Sequence, residues 1–360
     1  MNVWRMKLRA GTHGDDMWPL CRDHDVAAIT YQAIFNTDLT LLRQSDLDPG
    51  VMTAARSSMF RFAWNIKGMV IPKLIYLDTN LWNRLLDQNV DPISLISGLE
   101  RCNSSLALSG QTVYELTQTF RTSAERGKKL FRYLKICVDA GIVGAYDNMD
   151  LLRSEVKALY ERADSVVAYY SPADYDALKV EVAKLAEGVV DERAQSFLSE
   201  RREFARASRE GQKAHMENRP DMKTRLLAVS EDGLAAWLDE QVSGDVGAAL
   251  LTGHLVRVYE SPLTDKAIST ALGLLQHPAP RTAKALVRAD LYSNWRCARR
   301  GSNPRDLMDD MYHVLNATYC DVYATAEAGQ KEYAALLLSR WTRPAIYDGS
   351  TPLKDWLLIV

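Results

Sequence analysis

The chain has no CxxC pair, no apolar run of membrane-spanning length and no surplus of one charge. Its five cysteines, Cys21, Cys102, Cys137, Cys297 and Cys320, are an odd and scattered set in 360 residues. That usage argues for a reducing compartment and against a disulfide framework or a structural zinc site. Cys21 and His24 have ligand-like spacing, but no second pair accompanies them. A membrane helix needs about 18 consecutive apolar residues, and none is found. Nor does a charged-then-apolar leader open the sequence, so a cytoplasmic protein without a membrane partner is expected. The formal net charge of -2 excludes a global basic field, so any polyanion must meet a local patch. GxxxxGKS loops, GxSxG elbows and Cys/His nucleophile patterns are missing too, leaving nucleotide hydrolysis and acyl transfer unsupported.

What is present is ordinary globular composition, 47% hydrophobic and 25% charged, in a chain long enough for two domains or one domain with a large insertion. Residues 1–72 read as a small β-rich module. Strand-like runs such as WRMKLRAG and FRFAWNIKGMVI alternate there with Gly, Asp and Asn, and Trp4, Trp18, Tyr31, Phe60, Phe62 and Trp64 offer a core. From 73 to 147 an α/β pattern follows, with strands near 74–78, 106–108 and 141–146 separated by helices. Residues 148–302 turn to helical periodicity punctuated by proline and read as a helical insertion, with no fixed repeat. The α/β pattern resumes at 303–360. A helix there runs to about Thr318, a strand spans 320–325, and PAIYDG and the terminal WLLIV are candidate edge strands.

The stretch KLIYLDTNLWNRL sets the chemistry. An apolar run ends in Asp78-Thr79-Asn80 and gives way to helical spacing at Leu81, Trp82, Leu85 and Leu86. A strand that stops at a carboxylate places it at the carboxyl end of a sheet, where open α/β sheets form their sites, with Thr79 or Asn80 capping the helix. The competing reading is an Asp that merely caps. Further acids stand at comparable positions: Glu115 in the helix after the second strand, Glu327 just past Thr325, and Asp306, Asp309 and Asp310 in the helix before the last strand. Asp306 and Asp310 share a helix face one turn apart, which is unfavourable unless a cation intervenes. Hard oxygen ligands of this kind suit Mg²⁺ or Mn²⁺.

IYLDTNLW, LALSGQTVYEL and DDMYHVLNATYCDVYATAE together resemble the ordered acidic motifs of PIN-domain metal-dependent nucleases. DMYHVLNATYCDVYAT is similar to a variant of that pattern in larger bacterial PIN-like proteins, matched at Asp310, His313, Tyr319, Cys320, Asp321 and Thr325. The likeness covers roughly 71–147 and 303–340. It implies a three-layer α/β/α fold with a central, mostly parallel sheet. The implied catalytic residues are Asp78, Glu115, Asp310 and Glu327, with Asp78, Glu115, Asp309 and Asp310 as metal ligands and Thr79, Asn80, Asp306, His313 and Thr325 in support. Glu327 stands where the family has Asp, and Asp309 and Asp310 both fit the third position. The implied activity is endoribonuclease cleavage of RNA, single-stranded or structured and tRNA included, in a bacterial defence or toxin effector with a regulatory protein partner or a homo-oligomeric state. The front of the chain is similar, over some fifty residues, to PUA-like (EVE-type) modules. A binding or assembly subunit with a degenerate PIN fold and a single-strand or flap DNA nuclease are the alternatives.

A phosphodiester needs cations beside such acids. Arg281, Lys284, Arg288, Arg296, Arg299, Arg300 and Arg305 precede the third acidic motif, with Tyr292 and Trp295 among them as candidate stacking rings. Arg288, Arg296, Arg299, Arg300 and Arg305 are the expected nucleic-acid contacts. The plain alternative is a solvated basic helix face, and for His313 it is a hydrogen-bonded core histidine.

Overall fold

The computed structural model describes residues 71–360 apart from 193–195, 197–205, 207–209, 211–212, 215, 260–263, 302, 304–306 and 339, and apart from the side chains of Met308 and Asp309. The expected β-rich module therefore lies outside the described residues but for its last two positions. Arg305, Asp306 and the Asp309 side chain lie outside them as well.

Lys73–Leu77 forms β1 at the centre of the sheet, and Leu74 to Leu77 are buried. A central parallel strand has no wet face, so it must be apolar on both sides, as this run is. Asp78 ends it and caps α1 (Thr79–Asp87): its Oδ1 accepts the Leu81 N–H at 2.8 Å. The cap is thus Asp78 itself, in place of the Thr79 or Asn80 expected. Asp91 caps α2 (Pro92–Arg101), which leads to β2 (Ser104–Ser109). Ser109 caps the short α3 (Gly110–Leu116), followed by α4 (Thr119–Thr122) and α5 (Ala124–Asp139). Gly141, at φ 93°, reverses the chain into β3 (Val143–Ala145).

Next come α6 (Asn148–Glu161), α7 (Pro172–Ala186), α8 (Pro220–Leu227), α9 (Leu234–Val242), α10 (Asp245–Tyr259), α11 (Asp265–Gln276) and α12 (Thr282–Arg300). α13 (Leu307–Asn316), β4 (Val322–Thr325), α14 (Ala328–Leu338), β5 (Arg343–Ile346) and α15 (Leu353–Ile359) complete the chain. The terminal WLLIV is accordingly helix, contrary to the expected edge strand. Leu353 and Leu357, one turn apart, are buried against α1 and α2, and that 3.6-residue spacing overrides the strand propensity of the run. Among the described residues no helix is long and apolar enough to cross a membrane.

The sheet is five-stranded and parallel throughout, in the order β3-β2-β1-β4-β5. Ile75, Leu77, Leu106, Leu108, Val322 and Ala324 face one core, built with Trp82, Leu95, Phe131, Leu134 and Leu357 from α1, α2, α5 and α15. The alternate residues Tyr76 and Tyr323 stack on the other face, their ring centroids 6.1 Å apart. Helices α12, α13 and α14 pack together on that side. Helices thus cover both faces. The chain leaves β1 toward β2 and β3, then returns to the far side of β1 as β4. Its strand order reverses between β1 and β4, which is where such sheets open a crevice at their carboxyl ends.

The helices between β3 and β4 are anchored by one buried carboxylate. Glu155 of α6 accepts the N–H groups of Arg281 (2.7 Å), Thr282 (2.6 Å) and Ala283 (2.8 Å) at the start of α12, and the Tyr319 hydroxyl at 2.6 Å. Helix starts leave such N–H groups unsatisfied and carry a positive dipole end, so a carboxylate fits there. Burial still pushes the Glu155 carboxyl above the usual range, opposed by these hydrogen bonds.

Candidate active site at the sheet switch point

Asp78 and Thr325 end the two neighbouring strands at the reversal, and both are wholly buried. The Asp78 N–H donates to Ala324 O at 3.0 Å, which continues the strand pairing to its last residue. With Oδ1 held by Leu81, Oδ2 accepts the Thr325 hydroxyl. Burial pushes the Asp78 carboxyl above the ordinary aspartate range. The hydrogen bonds from Thr325 and Leu81 draw it back, and the His313 charge adds a smaller pull.

Two hydrogen-bonded networks hold Asp310, Glu327 and Glu115: the first reaches this pair, and the second acts on it through the charge of His313 on Asp78. In one, Thr325 Oγ1 lies 3.2 Å from Gln330 Oε1, and Gln330 Nε2 donates to Asp310 Oδ1 at 3.2 Å. Tyr323 fixes Gln330 by donating to the same Oε1 at 2.7 Å. Glu327, exposed at the rim, accepts from Asn80 Nδ2, and its N–H donates to Thr325 Oγ1 at 3.0 Å. Partial burial and then the Asp78 charge raise the Glu327 carboxyl, with the Asn80 hydrogen bond opposing them.

In the second relay, His313 Nε2 bonds Glu115 Oε2, while its Nδ1 lies 3.5 Å from the Tyr76 hydroxyl. Tyr76 also meets Ser109 at 2.9 Å and Thr112 at 2.8 Å, and burial holds its hydroxyl in the protonated form. Gln111 donates from Nε2 to Glu115 Oε1 at 3.2 Å and accepts at Oε1 from Asn316 at 3.0 Å. Buried His313 is therefore hydrogen-bonded, as its plain reading expects, and its partner is a candidate catalytic acid.

Sequence reasoning missed Tyr76, Gln111, Asn316, Tyr323 and Gln330, neutral groups whose contacts span distant parts of the chain. It also passed over Asp147, which stands two residues past β3 and directly before α6 and accepts the Gln111 N–H at 3.1 Å. The signal was there: an apolar strand ending in an acid before a helix.

The expected basic contacts divide. Arg288 is buried with Nη1 on Asp239 Oδ1. Arg296 lies over the Tyr333 ring and donates to the Tyr292 hydroxyl at 3.2 Å. Arg299 lies over Trp295 and donates to Val229 O at 3.0 Å, while Arg300 is exposed. Tyr292 and Trp295 are buried and stacked on one another, so they are core rings here and present no open face to a base.

The donor chemistry of the crevice fits a hard divalent cation: carboxylates, that of Asp78 fully buried, with Asp78 and Glu327 both raised by burial and Glu327 raised further by the Asp78 charge. Among the described residues, no three His, Cys, Asp or Glu side chains stand together as a ready ligand set. No protein-family model, curated protein or solved structure matches this chain.

Proposed function

We propose that the chain is a metal-dependent nuclease of the PIN-like kind that hydrolyses RNA phosphodiester bonds. The observation that carries this reading is the buried Asp78–Thr325 pair at the strand reversal, with Asp310 and Glu327 linked to it by hydrogen bonds and His313, bonded to Glu115, acting on Asp78 by its charge. A carboxylate so deeply desolvated is costly, and a divalent cation is a natural compensation.

Asp78, Glu115 and Asp310 would hold Mg²⁺ or Mn²⁺, with Asp309 as a further candidate and Glu327 serving a bound water or second ion. The ion, when bound, lowers the pKa of a water and stabilises charge on the phosphate. The protein's own groups orient the acids. Thr325 and the Leu81 N–H hold both Asp78 oxygens, which fixes the plane of that carboxylate. His313 and Gln111 hold Glu115, and Gln330 holds Asp310. Outer groups of this kind govern how well ligands grip a metal.

The test is incubation of purified protein with labelled RNA and single-stranded DNA in Mn²⁺, beside Asp78→Asn. RNA cut by the parent and spared by the variant supports the reading; equal cutting by both means a contaminant. A second reading, a nucleic-acid-binding subunit without cleavage, draws on the hydrogen bonds already engaging Glu115, Asp310 and Glu327. Binding without cutting would favour it.

A further inference from the structure

The first residues of α6 tie that helix to Glu115. Asp147, directly before α6, makes no side-chain cap on it. Its Oδ1 instead accepts the Gln111 N–H at 3.1 Å, which fastens the start of α3 to the start of α6. The Asn148 N–H, one of the donors that a helix start leaves unsatisfied, goes to Asn316 Oδ1 at 2.7 Å. Asn316 Nδ2 donates to Gln111 Oε1 at 3.0 Å, and Gln111 Nε2 to Glu115 Oε1 at 3.2 Å. His313, one turn before Asn316 on α13, bonds the other Glu115 oxygen.

This row of bonds has a direction. A backbone N–H can only donate, so Asn316 must turn its oxygen to α6 and its NH2 to Gln111. Gln111 must then present its oxygen to Asn316 and its NH2 to Glu115. Both amides are therefore oriented from Asn148, and the last donor meets a carboxylate, which accepts. Asn148, Asn316 and Gln111 are all buried, so a reversed amide would set oxygen against oxygen with no water to relieve it. The Asn148 side chain adds nothing to the row: its Oδ1 accepts from the Met149 N–H at 3.0 Å, and its Nδ2 is buried without a hydrogen-bond partner among the described residues.

We propose that Asn316 and Gln111 form an amide relay through which the start of α6 positions the Glu115 carboxylate. Further along, α6 carries Glu155, which grips the start of α12, so the same helix joins α12 to the crevice. Asn148, Asn316 and Gln111 are positioning residues, and their service to a metal ligand rests on the nuclease reading.

Asn148→Pro is the test. Proline suits the first helical position, and Asp147 has the extended backbone (φ -66°, ψ 166°) that precedes a proline, so the change removes the N–H and spares the helix. Asn148→Ala loses the side chain and keeps the N–H. Nuclear magnetic resonance of the full chain in EDTA reads the Gln111 side-chain NH2 pair, identified by its absence in Gln111→Met. The pair is expected to move in Asn148→Pro and to stay in Asn148→Ala; the same spectrum in both overturns the relay. Asn316→Asp keeps the acceptor for Asn148 and loses the donor to Gln111. It should move the pair as well, and an unmoved pair there overturns the proposal even if Asn148→Pro fails to fold.

Calorimetry with Mn²⁺ reads the consequence. Gln111→Met should weaken binding roughly tenfold, and Asn148→Pro somewhat less. The two changes together should cost no more than Gln111→Met alone, because both cut one row; additive losses mean separate structural damage and overturn the relay. A parent that binds no Mn²⁺ removes the nuclease reading, and the amide signals still decide the relay.

Discussion

Two buried carboxylates, Glu155 and Asp78, show how one residue class is used in opposite ways. Both are fully buried and both have carboxyl groups pushed up by burial. Glu155 accepts four hydrogen bonds, three of them from the start of a helix, and so is a finished structural joint. Asp78 accepts from Leu81, Thr325 and the Ala326 backbone and has Glu327 close enough for their charges to interact. The difference is the company kept: neutral donors complete Glu155, whereas Asp78 shares its neighbourhood with a second acid, Glu327, whose carboxyl its charge raises. Burial is common to both acids; the like-charged neighbour is what makes Asp78 the candidate of the two.

The sharpest way to break the comparison is Asp78→Asn. Asn keeps the cap to Leu81 while removing the charge, its NH2 facing Thr325 Oγ1 with the hydroxyl proton turned to Gln330 Oε1, so RNA cleavage in Mn²⁺ should fall by at least roughly a hundredfold. In the metal-free protein the same change should raise the melting temperature, a trade of stability for function. Glu155→Gln should act the other way. It weakens the hold on three α12 N–H groups and costs about 2 kcal/mol in denaturant unfolding, and α12 loosens from α6 without direct damage to the crevice. Thr325→Val leaves the Asp78 carboxylate without its hydroxyl partner. Weakening of Mn²⁺ binding by roughly tenfold, read by calorimetry, is expected.

The smallest effect is the pH dependence. The folded pKa of Asp78 is raised, so the stability it contributes is full below the ordinary aspartate range, about 3.9, and is lost as pH climbs through the raised value. Glu155 acts in the same direction, and the difference between the parent and Asp78→Asn isolates Asp78. Melting curves of metal-free protein should show the parent losing ground to the variant as pH rises. Saturating Mn²⁺ should close that gap. Parallel curves at every pH would mean that Asp78 is as well compensated as an ordinary core group.

The local signals were readable because they are properties of a few adjacent residues. An apolar run ended by Asp and followed by helical spacing defines β1, Asp78 and α1, and the same grammar gives Ser109 at the end of β2 and Thr325 at the end of β4. The terminal WLLIV misled because its apolar residues fit either period, and only packing on α1 and α2 selects the helix. The basic stretch misled in another way. Its spacing along α12 is visible in sequence, but burial of Tyr292 and Trp295 and the attachment of Arg288 to Asp239 depend on α9 and α14.

Sequence by itself determined the α/β class, the strand-end position of Asp78 and the acids available to it, because hydrophobic period and capping chemistry are short-range. Tertiary structure alone decided the strand order that sets Asp78 beside Thr325, the joining of Glu115 to His313 across 198 positions, and the meeting of Arg288 and Arg340 on Asp239. These pairings carry no local signature. Each is the outcome of burying one surface against another, and the charges settle wherever that packing brings them together.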